Sequence, residues 1–376
     1  MQVAKLDVQI AAARSLHDDN ARQWVEKILP EWEVEKDTPA VSNLLWRTIP
    51  ANVRGMVWPQ AIGNALQINA VLYAALLEQS ERVGYHRSVD QDQLRQEADA
   101  ALAAVDSAPP STPPSPGGSP AASPARAAAE LQELTEAEKL AMEPMKKSFG
   151  LIETDMDRTM SKWIGELKTA KSPVYDVAKA RSEDGDACLK RVLEVYACYK
   201  PELGYVQGMS YLAAMLLLYT EPITAFICLA NIMEKSCLLV FYRMQVDEMD
   251  KYFRVFEKLL ALKLPAMYAF LTENDVSPRM YIVQWIFAVF SRSVPLVLSS
   301  ALWDHFLVKG DVFLFRACIG LLKASQDQII GQDFDVVLKT LNHLPLEDKD
   351  TDRALEAVKS IVISDELWAQ TLMECG

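Results

Sequence analysis

Glycine, histidine and cysteine are scarce in this chain of 376 residues, which contains 14, four and six of them. The cysteines form no C-x-x-C pair and most stand inside apolar segments, which favours reduced, buried thiols. The histidines are far apart and lack metal-ligand spacing; they are His17, His86, His305 and His343. We therefore predict neither a metal site nor a disulfide framework.

The sequence signatures of several catalytic classes are missing. There is no G-x-S-x-G, no H-E-x-x-H and no G-x-x-x-x-G-K-[ST]. A chain so poor in glycine is also not expected to build a phosphate cradle of its own. If this protein takes part in nucleotide chemistry, we expect another molecule to hold the nucleotide.

Long apolar runs are absent as well. The longest, Met209–Tyr219, Ile223–Met233 and Met280–Phe290, each last about 11 residues, against the ~20 that span a bilayer. Met1–Asn20 carries scattered charges and no apolar signal stretch. We predict a cytoplasmic protein that does not insert into membranes.

Positive charge is in deficit, because the formal net charge is −13 at pH 7. Nucleic-acid binding requires a clustered Lys/Arg surface, and anionic membranes attract basic ones. Hydrophobic residues make up 50% of the chain, which is a globular composition. The expected partner is therefore a protein and not a nucleic acid.

What the chain does contain is helical periodicity. Cys188–Tyr199 places its apolar residues at a 3.6-residue period, and Met209–Tyr219 is apolar on all sides, as a central helix would be. Glu248–Leu262 and Met280–Arg292 are predicted helices too, and no alternating strand pattern occurs. The predicted fold class is all-α.

One segment breaks this composition. Asp106–Ala128 holds seven prolines among Ser, Ala and Gly, and is predicted to be flexible or extended. Its flanks are Ala-, Glu- and Gln-rich and predicted helical, so Tyr85–Met142 is interpreted as an insertion. A linker between two domains is the alternative, but Met1–Gly84 has few apolar residues for a domain of its own.

An apolar stripe near the N-terminus has helical spacing. Its members are Trp24, Ile28, Leu29 and Trp32. Such a stripe packs on its own domain or presents a partner-binding face, and packing is the more frequent outcome.

Three short motifs are each ambiguous alone. Arg54 and Trp58 share a helical face, which is common for a surface arginine beside a buried tryptophan. Asp155 and Arg158, in I-x-x-D-x-x-R from Ile152, have the spacing of an ordinary ion pair. In the third, Gln207 either caps a helix start or presents its amide to a ligand.

Together, and in this order, the motifs R-x-x-x-W, I-x-x-D-x-x-R and Y-x-Q-G resemble the signature motifs of the TBC family, the GTPase-activating domains for Rab GTPases. Ile49-Pro50, Leu302-Trp303-Asp304 and Leu314-Phe315-Arg316 also resemble that family. The resemblance runs from about Leu44 to Pro345. Thr48, where the family usually has Gly, and Met160-Ser161 after the second motif depart from it.

The resemblance implies a two-lobed helical domain with a groove for a GTP-bound Rab. Arg158 and Gln207 are implied to act on the partner's GTP as arginine and glutamine fingers. Supporting roles are implied for six residues: Arg54, Trp58, Ile152, Asp155, Tyr205 and Gly208. Asp155 is expected to orient Arg158 or to pair with Arg54, whereas Trp58 and Tyr205 are expected to pack under the fingers.

On this interpretation the chain is a GTPase activator and not a stand-alone enzyme. It needs no cofactor of its own, since the GTPase carries GTP and Mg²⁺. We expect a monomer, recruited to membranes peripherally through Rab or adaptor partners and active in vesicle trafficking. The alternatives are a non-catalytic Rab-binding adaptor of the same fold and an unrelated helical scaffold.

The implied organisation has five parts. They are an N-terminal helical segment at 1–40, the start of the TBC domain at 41–84, the insertion at 85–142 with its flexible part at 106–128, an N-terminal lobe with both finger motifs at 143–255, and a C-terminal lobe at 256–376.

Overall fold

A computed structural model of the chain describes residues 19–106, 135–156 and 185–376. Every regular element in these ranges is helical, and they contain no strand. The all-α prediction is therefore confirmed. The proline-rich residues from 107 onward and Arg158 lie outside the described residues.

The described α-helices are numbered in chain order. They are α1 Asp19–Gln23, α2 Trp32–Glu35, α3 Pro39–Leu45, α4 Ala51–Ile62, α5 Ala70–Asp106, α6 Glu136–Met156, α7 Gly185–Tyr199, α8 Met209–Tyr219, α9 Pro222–Lys235, α10 Leu238–Tyr242, α11 Val246–Lys263, α12 Pro265–Glu273, α13 Ile282–Phe287, α14 Leu296–Lys309, α15 Asp311–Ala324, α16 Gln326–Ile329, α17 Phe334–Asn342, α18 Thr351–Ser360 and α19 Asp365–Glu374. A π-helical turn spans Trp24–Ile28, and 3₁₀ turns span Pro278–Met280 and Asp348–Asp350.

The central helix α8 has the predicted bounds, Met209–Tyr219, and all of its residues are buried. It packs against α4, α6, α7 and α9. Gly208 begins it from a left-handed conformation, and Thr220 ends it in an extended one before Pro222 starts α9. The prediction succeeded because Met209–Tyr219, which is apolar except for Ser210 and lies between Gly208 and Pro222, specifies both ends and the burial.

Helices α14, α15 and α18 form the middle of the C-terminal part. Helix α15 packs against α14 and α18, and α14 also contacts α4 from the N-terminal part. The apolar stripe near the N-terminus joins this common core, because Trp24, Ile28 and Trp32 are all buried. This stripe therefore packs on its own domain and is not an exposed partner-binding face.

Two predicted boundaries fall inside helices. Helix α5 continues through Gly84 and Tyr85, where the insertion was expected to begin, and α6 continues through residues 142 and 143. A single glycine costs a helix about 1 kcal/mol and does not end it. The helical flanks of the insertion are thus extensions of helices that belong to the domain.

The predicted helix Met280–Arg292 is wrong at both ends. The α-helical part is only Ile282–Phe287, and the backbone then turns through left-handed conformations at Val289 and Phe290, with φ of 41° and 66°. The Trp303 indole donates to the Val289 carbonyl at 3.0 Å. A side chain from α14 hydrogen-bonds this carbonyl, and Phe290 is fully buried. Tertiary packing therefore stabilises the turn relative to a longer α-helix.

Candidate functional site

The Y-x-Q-G loop and the end of α6 meet at a pocket of about 260 Å³. Its lining comes from the end of α6, the start of α8, and α13 with the turn that follows. The lining residues are Asp155, Gln207, Gly208, Tyr211, Val283, Gln284, Phe287, Ala288 and Arg292. Two of the predicted motifs, whose residues Asp155 and Tyr205 are 50 positions apart in sequence, thus contribute to one site.

The Asp155 carboxylate fastens the glutamine loop to α6. Its Oδ2 accepts from the Tyr205 hydroxyl at 2.5 Å, from the Gly208 amide at 3.3 Å and from the Ser210 hydroxyl at 3.3 Å. The side chain is buried. It faces the start of α8, where the helix dipole and free amides favour a negative charge.

A second attachment lies seven residues earlier on α6. The Ser148 hydroxyl accepts from the Tyr205 amide at 3.0 Å, and Ser148 and Asp155 stand two turns apart on one helix face. Gly204 adopts a left-handed φ of 63°, and a Cβ there would overlap the Ser148 hydroxyl. Burial, together with the bond to Asp155, raises the pKa of Tyr205, so this phenol remains a donor.

Gln207 is exposed at this pocket, and no side chain caps the start of α8. Of the two possibilities for this residue, the structure favours an amide that faces outward. The next residue, Gly208, has a φ of 103° and lies close to Phe287 and Tyr242. A side chain at Gly208 would be strained, which explains the glycine after the glutamine.

Arg54 and Trp58 belong to a different cluster. Arg54 Nε and Nη2 donate to the two carboxylate oxygens of Asp304, each at 2.9 Å, and Trp58 Nε1 donates to Oδ1 at 2.8 Å. Of the two alternatives for Asp155, the pairing with Arg54 is therefore wrong. Burial opposes the charge on Arg54, but Asp304 outweighs it and raises the pKa of the guanidinium.

This cluster is structural and not part of the pocket. Asp304 Oδ2 also accepts from the Ile49 amide at 3.0 Å, and Arg54 Nη1 donates to the Tyr219 hydroxyl at 3.1 Å. Trp58 stacks on Trp303, with ring centroids 5.5 Å apart. The first motif thus joins α4 to α8 and α14. Trp58 does not line the pocket that contains Gln207, and Arg158 lies outside the described residues.

Of the predicted site residues, the structure brings together Asp155, Tyr205, Gln207 and Gly208. Ile152 is fully buried in the core. Arg292, Gln284 and Phe287 are not among the predicted site residues, because the pattern of their segment predicts a buried helix. The arginine near the end of that apolar run was the one available signal.

Two further properties concern the described part of the chain. No helix there is both long and apolar enough to cross a membrane. Within the same ranges, no group of three or more His, Cys, Asp or Glu side chains is arranged to hold a metal ion.

The helical fold and the Y-x-Q-G loop held by the motif aspartate define a TBC domain. The model of the Rab-GTPase-TBC domain family matches residues 122–330. This is more than half of the chain, and the protein belongs to that family.

Individual members of the TBC1 domain family also match this chain. The chain is 31% identical over 349 residues to TBC1 domain family member 12 of Mus musculus. This match covers 92% of this chain and 42% of the relative. It is 32% identical over 351 residues to TBC1 domain family member 14 of Bos taurus, and this match covers 93% of this chain and 43% of that relative. The chain therefore spans about two fifths of the length of these relatives.

Among solved structures, the Chlamydomonas flagellar RabGAP TBC domain matches with a TM-score of 0.56 and 18% identity. The match covers 94% of this chain and 95% of that one. At this identity the match concerns the fold.

Proposed function

We propose that this protein stimulates GTP hydrolysis by a Rab GTPase, to which it supplies Arg158 and Gln207 in trans. The observation that carries the proposal is the exposed Gln207 at a pocket, on a loop that α6 holds at both Ser148 and Asp155. An exposed glutamine on an anchored loop is suited to chemistry on a partner, because positioning is what catalysis requires of it.

The proposed role of Gln207 follows from its two functional groups. The amide oxygen accepts a hydrogen bond from the attacking water, and the amide nitrogen donates to a phosphate oxygen, so the water is aligned with the γ-phosphate. The neighbouring Gly208 has a φ of 103°, which suits glycine, and it begins α8 directly after Gln207. Gln207 would then replace the water-positioning glutamine of the GTPase.

The proposed role of Arg158 is to stabilise the charge that develops on the transferred phosphoryl group. Arg158 follows Met156, the last described residue of α6, by two positions in the sequence. Asp155, which holds the glutamine loop, is the neighbour of Met156. Arginine suits this role because it is always charged and donates through a planar fork; arginine fingers contribute roughly 10³–10⁵ in rate.

In this proposal the GTPase carries GTP and Mg²⁺, and the TBC chain acts as a monomer without a cofactor. It acts from the cytoplasm and reaches membranes through Rab or adaptor partners in vesicle trafficking. The net charge of −13 supports a protein partner over a nucleic acid.

The test is single-turnover hydrolysis by a panel of GTP-loaded Rabs, with and without the protein. We expect Arg158→Ala to lower the stimulated rate on the order of 10²–10⁴-fold. Arg158→Lys should recover little of it, because the fork is lost. Gln207→Ala should be comparably severe, since the water then loses its alignment.

Matched controls are Arg47→Ala and Gln332→Ala, at exposed positions that do not line the pocket. They should leave the rate unchanged, and circular dichroism should show all variants folded. A folded Arg158→Ala protein with near wild-type stimulation would refute the assignment. Binding without acceleration would instead support the adaptor alternative.

A further inference from the structure

The turn after α13 exposes one charged side chain. Its neighbours Ala288, Val289, Phe290, Ser291, Ser293 and Val294 are all buried, whereas Arg292 is exposed. Arg292 also lines the pocket that contains Gln207. Among the described residues, the turn therefore places the guanidinium of Arg292 at the pocket of the proposed glutamine finger.

This placement has a conformational cost. Val289 and Phe290 both have positive φ, and for a β-branched residue such as Val289 that conformation is an outlier. Strain of about 1–3 kcal/mol per residue persists only where the surroundings fix it. Here the Trp303 indole holds the Val289 carbonyl at 3.0 Å, and the Phe290 amide donates to the Trp285 carbonyl at 2.8 Å.

No side chain in the described part of the chain neutralises Arg292. It forms none of the ion pairs found there. Among the described residues that line the pocket, Asp155 is the other charged one; it is 6% exposed and binds Tyr205, Gly208 and Ser210. The Gln284 amide nitrogen donates to Asn342 at 2.6 Å.

We infer that Arg292 is a docking residue that binds a carboxylate on the GTPase surface next to the position of Gln207. This inference rests on the proposed function. A guanidinium pairs with a carboxylate through two parallel hydrogen bonds. In a chain of net charge −13, an arginine at the pocket that forms no ion pair with the described residues offsets the repulsion that an acidic partner surface would meet.

A docking role and a catalytic role differ in their kinetics. A contact that is equally strong in the ground and transition states changes KM and leaves kcat unaltered. For Arg292→Gln we expect KM for the GTP-loaded Rab to rise about tenfold or more, with kcat within about twofold. Arg292→Lys keeps the charge without the fork, so its KM should lie between the two.

The experiment measures stimulated hydrolysis against Rab concentration at low and high salt. Arg47→Gln is the matched control, because Arg47 is exposed and does not line the pocket. The wild-type KM should rise with salt more steeply than that of Arg292→Gln, because one screened charge pair is missing in the variant. Double-mutant cycles with single acidic-to-neutral substitutions on the Rab should identify the partner carboxylate.

An unchanged KM for Arg292→Gln, or a fall confined to kcat, would overturn the docking role. So would cycles in which no Rab carboxylate couples to Arg292. The proposed function can fail while the docking role survives. If the wild-type chain binds a Rab without accelerating hydrolysis, the proposed function is wrong, and a binding titration of Arg292→Gln against wild type still tests the docking role. Absence of binding to every Rab would overturn both.

Discussion

Replacement of Asp155 tests how the glutamine loop is held. Its carboxylate accepts one short hydrogen bond, from Tyr205 at 2.5 Å, and two long ones at 3.3 Å from Gly208 and Ser210. The long bonds lie beyond the usual range and contribute little. The short, charge-assisted bond is worth about 1.5–3 kcal/mol, and Asp155→Ala also leaves the buried Tyr205 hydroxyl without this acceptor. We therefore expect a loss of about 3 kcal/mol in the free energy of unfolding.

The same change should reduce stimulated GTP hydrolysis. If Gln207 shifts by about 1 Å when its loop is released, a loss of roughly 10²-fold in kcat is expected. Single-turnover hydrolysis at saturating protein measures this loss, and urea unfolding measures the stability. Tyr205→Phe, which removes only the donor of the short bond, should show a smaller effect of the same kind.

A control on the same helix separates site from scaffold. Glu153 is exposed and pairs with Arg87 at 2.7 Å and Lys190 at 2.9 Å. Glu153→Ala should leave kcat unchanged, because none of these residues lines the pocket.

A double-mutant cycle supplies the decisive result. If Asp155 acts through the glutamine loop, Asp155→Ala should cost little further activity once Gln207 is already alanine. Full additivity of the two losses would refute this reasoning, and Asp155 would then act through another group, such as Arg158.

Two other predictions concern stability and pH. Arg54→Ala should destabilise the protein by about 3–5 kcal/mol, because it leaves Asp304 buried without its counter-charge; thermal unfolding measures this, and a change below 1 kcal/mol would contradict the buried pair. Burial raises the pKa of Glu194 from 4.5 to about 7, so wild-type stability should fall as pH rises through that window. Glu194→Gln should therefore gain stability relative to wild type, on the order of 2 kcal/mol at pH 8 and none near pH 4, by urea unfolding. An equal difference at both pH values would exclude the titration of Glu194.

The helices were largely predictable because helical periodicity is local. The largely apolar run of α8 between Gly208 and Pro222 specifies a buried helix whatever surrounds it. The helix that periodicity predicts over Met280–Arg292 is wrong, because the left-handed turn at Val289 and Phe290 depends on a hydrogen bond from α14. The periodicity of a segment does not indicate that a side chain distant in sequence, here the Trp303 indole, will hydrogen-bond one of the segment's backbone carbonyls.

The sequence by itself determined the helical class, the central helix and the order of motifs that resembles the TBC family. Only the tertiary structure decided what the polar motif residues bind. Asp155 holds Tyr205, 50 residues away, and Arg54 pairs with Asp304, 250 residues away. Local spacing offers a charged side chain only neighbours on its own helix, whereas its partner in a buried site depends on which helices pack together. For the same reason Arg292 becomes a candidate docking residue only once its turn is seen beside Gln207.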